Sequence, residues 1–162
     1  LLDVLRLMGA DVNVEETGSI LGDPIGTVTI GGQGLVAIEI HPPLTVRALD
    51  ELPLVAVLGA AAEGTTVVTG AAELRVKETD RISASVELAR AAGGSASASD
   101  DGFSVSPDGG DLDTVDAQGD HRIAMAAATA ALVRKAPVGV LGFGAADVSW
   151  PGFGEVLEAL WS

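Results

Sequence analysis

Two stretches far apart in the chain follow one plan. Met8-Gly9-Ala10-Asp11-Val12-Asn13-Val14 and Ala92-Gly93-Gly94-Ser95-Ala96-Ser97-Ala98 each close a helical pattern at glycine and then alternate as a strand. In both cases a turn and a second strand come next. A second pair also matches, since Asp50 and Asp120 each lead into a helical stretch rich in Ala and small apolar residues. Each copy must solve the same burial problem, so the chain is expected to hold about two copies of a helix–strand–strand–strand–helix–strand unit. The Ala-rich helices have few polar positions, which predicts that they are buried with the sheets outside them.

The composition fits that expectation. Hydrophobic residues make up 48% of the chain but aromatic ones only 3%, so the core must be built from Ala, Val, Leu and Ile, with helices packed closely through small side chains. A chain of 162 residues suits one domain with a real core.

The local patterns predict the following elements. Leu1, Leu2, Leu5 and Met8 mark one face of a short helix ended by Gly9. Strands are expected at 11–15 and 26–30, separated by a turn-rich 18–24, and at 35–40. Asp50 is a natural cap for a helix over 51–62, with Pro53 tolerated in its first turns. A strand at 65–69 leads into a basic segment and a helix ending near Ala92. Strands at Ser95–Ser99 and 103–106 follow, then a helix His121–Arg134 capped by Asp120, a strand at 138–141 and a closing helix Phe153–Trp161. Gly31-Gly32-Gln33-Gly34 lacks the strand–loop–helix context of a phosphate loop, and Asp108–Asp113 lacks EF-hand spacing. Both read as turns.

The charge balance limits the choice of partners. Nine Lys+Arg against 23 Asp+Glu give a formal charge of −14. That argues against nucleic acid or an anionic membrane surface, which call for a basic face. No apolar run is long enough to span a bilayer and no signal peptide opens the chain. With no cysteine, disulfides and thiolate metal sites within the chain are excluded, which permits the cytoplasmic location expected for this chain without deciding it. The chain starts without Met in a helical pattern, which reads as a fragment.

Against this acidic background, three of the nine basic residues fall in Arg75-Val76-Lys77-Glu78-Thr79-Asp80-Arg81. Thr79 or Asp80 can cap the helix that follows, placing Lys77 and Arg81 beside a helix N-terminus, where the dipole and free N–H groups favour an anion. The alternative is a solvated i,i+3 pair of Glu78 and Arg81, which contributes little.

Leu74–Arg81, taken with Gly119-Asp120-His121-Arg122-Ile123-Ala124-Met125-Ala126, resembles the paired signatures of the EPSP synthase (3-phosphoshikimate 1-carboxyvinyltransferase) family, and the likeness runs along essentially the whole chain. The resemblance implies an α/β enolpyruvyl-transferase fold of two lobes. Each lobe comprises three repeated βαβαββ-like units with helices buried inside and sheets outside, an inside-out α/β barrel. Residues 1–162 would be a single partial lobe, about two of the three units of the C-terminal lobe, with the N-terminal partner lobe missing. The implied reaction moves the enolpyruvyl group of phosphoenolpyruvate to the 5-hydroxyl of shikimate 3-phosphate and releases phosphate, with no cofactor and no metal. These two small molecules are the implied substrates, and the family is the target of the herbicide glyphosate.

Site roles follow by resemblance. The interval from Asp50 to Lys77 matches the family's spacing between catalytic aspartate and motif lysine, which makes Asp50 the expected base. Lys77 would contact shikimate 3-phosphate near the reacting hydroxyl, and Glu78 would give and take the proton at the methylene carbon. Arg81 and Arg122 would hold phosphoenolpyruvate, since planar guanidinium groups match carboxylate and phosphate oxygens two at a time. His121 neighbours the pocket, with either an orienting or a structural part. Arg47 and Arg75 read as surface charges. Two departures stand out: Val148 occupies the position where the family commonly carries a lysine for phosphoenolpyruvate, and Glu73 stands where some members have a polar contact to shikimate 3-phosphate. Two other readings remain open, transfer of enolpyruvate to a UDP-sugar on the same fold, and a non-catalytic acidic scaffold.

Overall fold

In a computed structural model that describes residues 1–161, the chain opens with helix α1 (Leu2–Leu7). Gly9 ends it in a left-handed conformation, φ +91°, which costs glycine little because it has no Cβ. The strands β1 (Asp11–Ile20) and β2 (Asp23–Gly31) then form an antiparallel hairpin. It is longer than alternation suggested: the ladder runs through 18–24, with the register slipping between Glu16 and Gly18, and turns at Leu21–Gly22, both at positive φ. Pro24 is admitted opposite Ser19 because a two-stranded ribbon consists only of edge strands.

The stretch 35–40 is two short strands. β3 (Leu35–Val36) lies parallel to β5 (Ala62–Glu63), whereas β4 (Glu39–Ile40) lies parallel to β6 (Thr66–Val68). The connection between them holds α2 (Leu44–Arg47), a 3-10 turn (Leu49–Glu51) and α3 (Leu52–Gly59). Thus α3 is shorter than the expected 51–62, and Asp50 sits in the 3-10 turn instead of capping it. A second 3-10 turn, Ala72–Val76, leads to α4 (Arg81–Ala91) and the hairpin β7 (Ser95–Ser99) and β8 (Gly102–Ser106). Next come β9 (Thr114–Asp116), which the sequence pattern did not reveal, α5 (His121–Arg134), the parallel partner β10 (Gly139–Leu141), a 3-10 turn (Phe143–Val148) and α6 (Phe153–Trp161).

The principal sheet runs β4-β6-β8-β7, with the first pair parallel and the others antiparallel. The repeated pattern has a structural counterpart. α1–β1–β2 and α4–β7–β8 share a helix, a left-handed glycine (Gly93, φ +100°) and a hairpin. β4–α3–β6 and β9–α5–β10 share a strand, a helix and a parallel strand.

Helices α3, α4 and α5 pack on one another. Leu52, Val55 and Ala56 of α3, Ile82, Leu88 and Ala89 of α4, and Ile123, Ala127 and Ala130 of α5 are fully buried. Alanine at these contacts lets the backbones approach closely, while each buried Leu or Ile contributes about 1.5–3 kcal/mol. This three-helix contact aligns the N-termini of α4 and α5, where the charged motif residues lie. Among the described residues no helix is long and apolar enough to cross a membrane.

Candidate active site

The two signature segments each end at a capped helix. Asp80 Oδ1 accepts from the N–H groups of Ile82 (3.1 Å) and Ser83 (3.2 Å), fixing the start of α4. Asp120 Oδ1 accepts from those of Arg122 (2.9 Å) and Ile123 (3.4 Å), fixing the start of α5. A short carboxylate satisfies free N–H donors at these positions. The first turns carry Arg81 and Arg122.

Arg81 is the hub. Only 1% exposed, it donates through Nε to Asp120 Oδ2 (2.7 Å) and through Nη2 to Asp120 Oδ1 (3.2 Å) and Glu78 Oε2 (2.7 Å). Its Nη1 donates to Asp50 Oδ1 (3.0 Å). Burial alone would pull the guanidinium down, but hydrogen bonding and charge from Asp120, with Glu78 and Asp50, leave it raised. Burial likewise pushes the Asp120 carboxyl up, yet Arg81 and the two N–H donors hold it below the usual carboxylate range.

Asp50 meets all three cations. Besides Arg81, its carboxylate lies 3.5 Å from Arg122 Nη2 and 4.0 Å from Lys77 Nζ, and its carbonyl accepts from Arg122 Nη1 at 3.0 Å. Caught between three cations, the side chain turns away from the N–H groups of α3, so the expected cap is not made. Lys77 Nζ pairs with Glu73 at 2.7 Å, which raises the ammonium above its ordinary value against the opposing effect of burial. Asp50, Lys77, Glu78, Arg81 and Arg122 thus converge from three segments of the chain. The side chain of His121, half-buried at the first position of α5, makes no hydrogen bond or ion pair among the described residues.

A cavity of about 250 Å³ opens beside this cluster, with Asp50 and Arg122 at its polar side and Pro53, Leu54, Met125 and Trp150 among its walls. Val148 is exposed and brings no charge. Among the described residues no group of His, Asp or Glu is arranged to hold a metal ion.

Several contacts escaped the sequence reading. Glu73, noted only as a departure from the family pattern, is the partner of Lys77, and its i,i+4 spacing was the available signal. Arg75 is no idle surface charge: it bonds Asp80 (2.8 Å), the Asp100 carbonyl (2.9 Å) and the Ser99 carbonyl, tying the motif to the β7–β8 turn. Arg47 pairs with Asp3 of α1. Thr79 donates to Gln118 Oε1 at 2.8 Å, linking the first signature segment to the residue just before the second. Asp120, read only as a cap, proves to be the buried partner of Arg81.

Comparison with known proteins bears on the family. The family model described as EPSP synthase (3-phosphoshikimate 1-carboxyvinyltransferase) matches residues 1–157. The chain belongs to the EPSP synthase family. Relatives named 3-phosphoshikimate 1-carboxyvinyltransferase include those of Nitrosococcus oceani, 40% identical over 158 residues (96% of this chain, 35% of the relative), and Alkaliphilus metalliredigens, 38% identical over 163 residues (99% and 38%). The relative of Roseiflexus castenholzii is 42% identical over 161 residues (98% and 37%). Among solved structures, an EPSP synthase from Acinetobacter baumannii superposes with a TM-score of 0.87 at 34% identity, covering 97% of this chain and 37% of that one. The chain therefore has the α/β fold of EPSP synthases and spans a little over a third of the length of these relatives.

Proposed function

We propose that residues 1–162 are a partial C-terminal lobe of a two-lobed EPSP synthase and supply one side of an interlobe site. There the enolpyruvyl group of phosphoenolpyruvate is transferred to the 5-hydroxyl of shikimate 3-phosphate. The observation that carries this reading is the convergence of Asp50, Lys77, Glu78, Arg81 and Arg122 around one buried guanidinium. Mutual packing of α3, α4 and α5, with the four-stranded sheet against α3 and α4, supports an inside-out arrangement with about two of three repeated units. The acidic surface suits a cytoplasmic enzyme that binds neither nucleic acid nor membranes.

The chemistry follows from the groups present. The 5-hydroxyl oxygen bonds to C2 of phosphoenolpyruvate while Asp50 takes the hydroxyl proton and Glu78 protonates the methylene carbon, giving a tetrahedral intermediate. Glu78 then removes a proton from the methyl group and the double bond re-forms. Phosphate leaves with the electron pair of its C–O bond and takes up the proton held by Asp50, which returns both carboxyl groups to their starting forms. Arg81 and Arg122 hold phosphoenolpyruvate, Lys77 holds shikimate 3-phosphate, and His121 helps to orient them. Such fixed charges act most strongly when lobe closure excludes water.

The charge balance explains why one lobe is not enough. Lys77, Arg81 and Arg122 face Asp50, Glu51, Glu73, Glu78 and Asp120, three cations against five carboxylates. This formal excess of two negative charges, or of one while Glu78 carries the proton it donates, cannot by itself retain two phosphorylated anions, so further cations must come from the partner lobe. In a coupled phosphate-release assay on the full-length gene product, Asp50→Ala and Lys77→Met should each lower turnover about a hundredfold or more. Undiminished turnover in either variant would remove these residues from the mechanism.

A further inference from the structure

Asp120 combines two contacts that no other carboxylate of the cluster combines. It is fully buried, and both of its oxygens are occupied by four donors. Oδ2 takes the Nε–H of Arg81, while Oδ1 takes one Nη2–H of Arg81 and the backbone N–H groups of Arg122 and Ile123. Engagement along the Nε–Nη2 edge fixes the plane of the guanidinium. Only the outer side remains, where Nη1 meets Asp50 and the other Nη2–H meets Glu78. The same oxygen fixes the first turn of α5 and hence the backbone from which Arg122 reaches Asp50.

We propose that Asp120 is a positioning residue which sets, with one side chain, the orientation of both arginines that receive phosphoenolpyruvate. This rests on the reading of the site given above. Asp120 neutralises Arg81 from behind, so Asp50 and Glu78 face a guanidinium already paired. Without that charge, Arg81 rotates toward Asp50 and Glu78 and binds them more closely, presenting neither its edge to the substrate nor free carboxylates to the reacting atoms. Lys77 and its partner Glu73 do not touch Asp120, so the shikimate 3-phosphate side is left in place.

The test is Asp120→Asn in the full-length protein, with Asp120→Ser as the second variant. Both replacements are good N-caps, and Arg81 keeps Asp50 and Glu78 as partners, so the fold survives. Steady-state phosphate release should show KM for phosphoenolpyruvate raised roughly tenfold or more, with lowered kcat, while KM for shikimate 3-phosphate stays within about threefold of the parent. A purely structural role lowers the amount of active enzyme and leaves both KM values unchanged. That result, or equal rises in both KM values, overturns the positioning role while the enzymatic reading stands. A parent protein that releases no phosphate from the two substrates overturns the enzymatic reading and this inference with it.

Discussion

Arg81 holds three carboxylates with one guanidinium, and it does so almost out of water. Removing one member of a buried charged group leaves another uncompensated, at a cost of about 3–5 kcal/mol. Arg81→Met should therefore destabilise the protein by about that amount in urea unfolding, because Asp120 would stay buried without its cation. The acid side of the stability profile follows from the same group. The Asp120 carboxyl titrates lower in the folded state, so below the unfolded value of about 3.9 the unfolded chain binds the extra proton and stability rises with pH. Its contribution is complete above about pH 5 and is lost as acid titrates the folded carboxylate. Asp80 and Asp111 are depressed too, so Asp120→Asn should flatten the acid limb of a urea-unfolding series without abolishing it. An unchanged limb would show that Asp120 is not held as described. The gathering of cations at Arg75, Lys77 and Arg81 was legible because cations are scarce in this chain, whereas the expected roles of Asp50, Lys77, Glu78, Arg81 and Arg122 rest on the family resemblance. What could not be read was which carboxylate each cation meets. Asp50 looked like a cap, and only the fold reveals three cations competing for it.

At the scale of elements, the caps and turns with local causes were the readable ones. Asp120 opens α5 over His121–Arg134 as its side-chain chemistry required, and the hairpin β7–β8 turns where Asp100-Asp101-Gly102 marks it. The elements that tertiary partners decide were read less well. The stretch 35–40 is split because its two ends pair with different strands. β9 exists through its parallel pairing with β10, and its residues carry no strong pattern of their own. The contact of α3, α4 and α5 fixes where the motif helices begin, so a cavity there should reach the site. Leu88→Ala, in the buried face of α4, should lower stability by about 2–5 kcal/mol in urea unfolding. A loss below 1 kcal/mol would mean that the helix contact is not the core of the fold.

For the molecule as a whole, the acidic balance bears on the proposed sharing of the site between two lobes. A formal charge of −14 leaves few cations for an anionic ligand, and around Arg81 three carboxylates already meet one guanidinium, so the proposed substrates would need cations from a partner lobe. The β1–β2 hairpin, exposed on both faces, pairs with no other strand among the described residues, whereas its counterpart β7–β8 joins the four-stranded sheet. The repetition itself was legible in two glycine-ended helices and their hairpins. The most direct measurement is phosphate release from phosphoenolpyruvate and shikimate 3-phosphate, compared for the full-length gene product and the isolated 162-residue chain at equal molarity. The account predicts turnover by the full-length protein and none by the chain alone. Comparable turnover by the isolated chain, or none by the full-length protein, would contradict it.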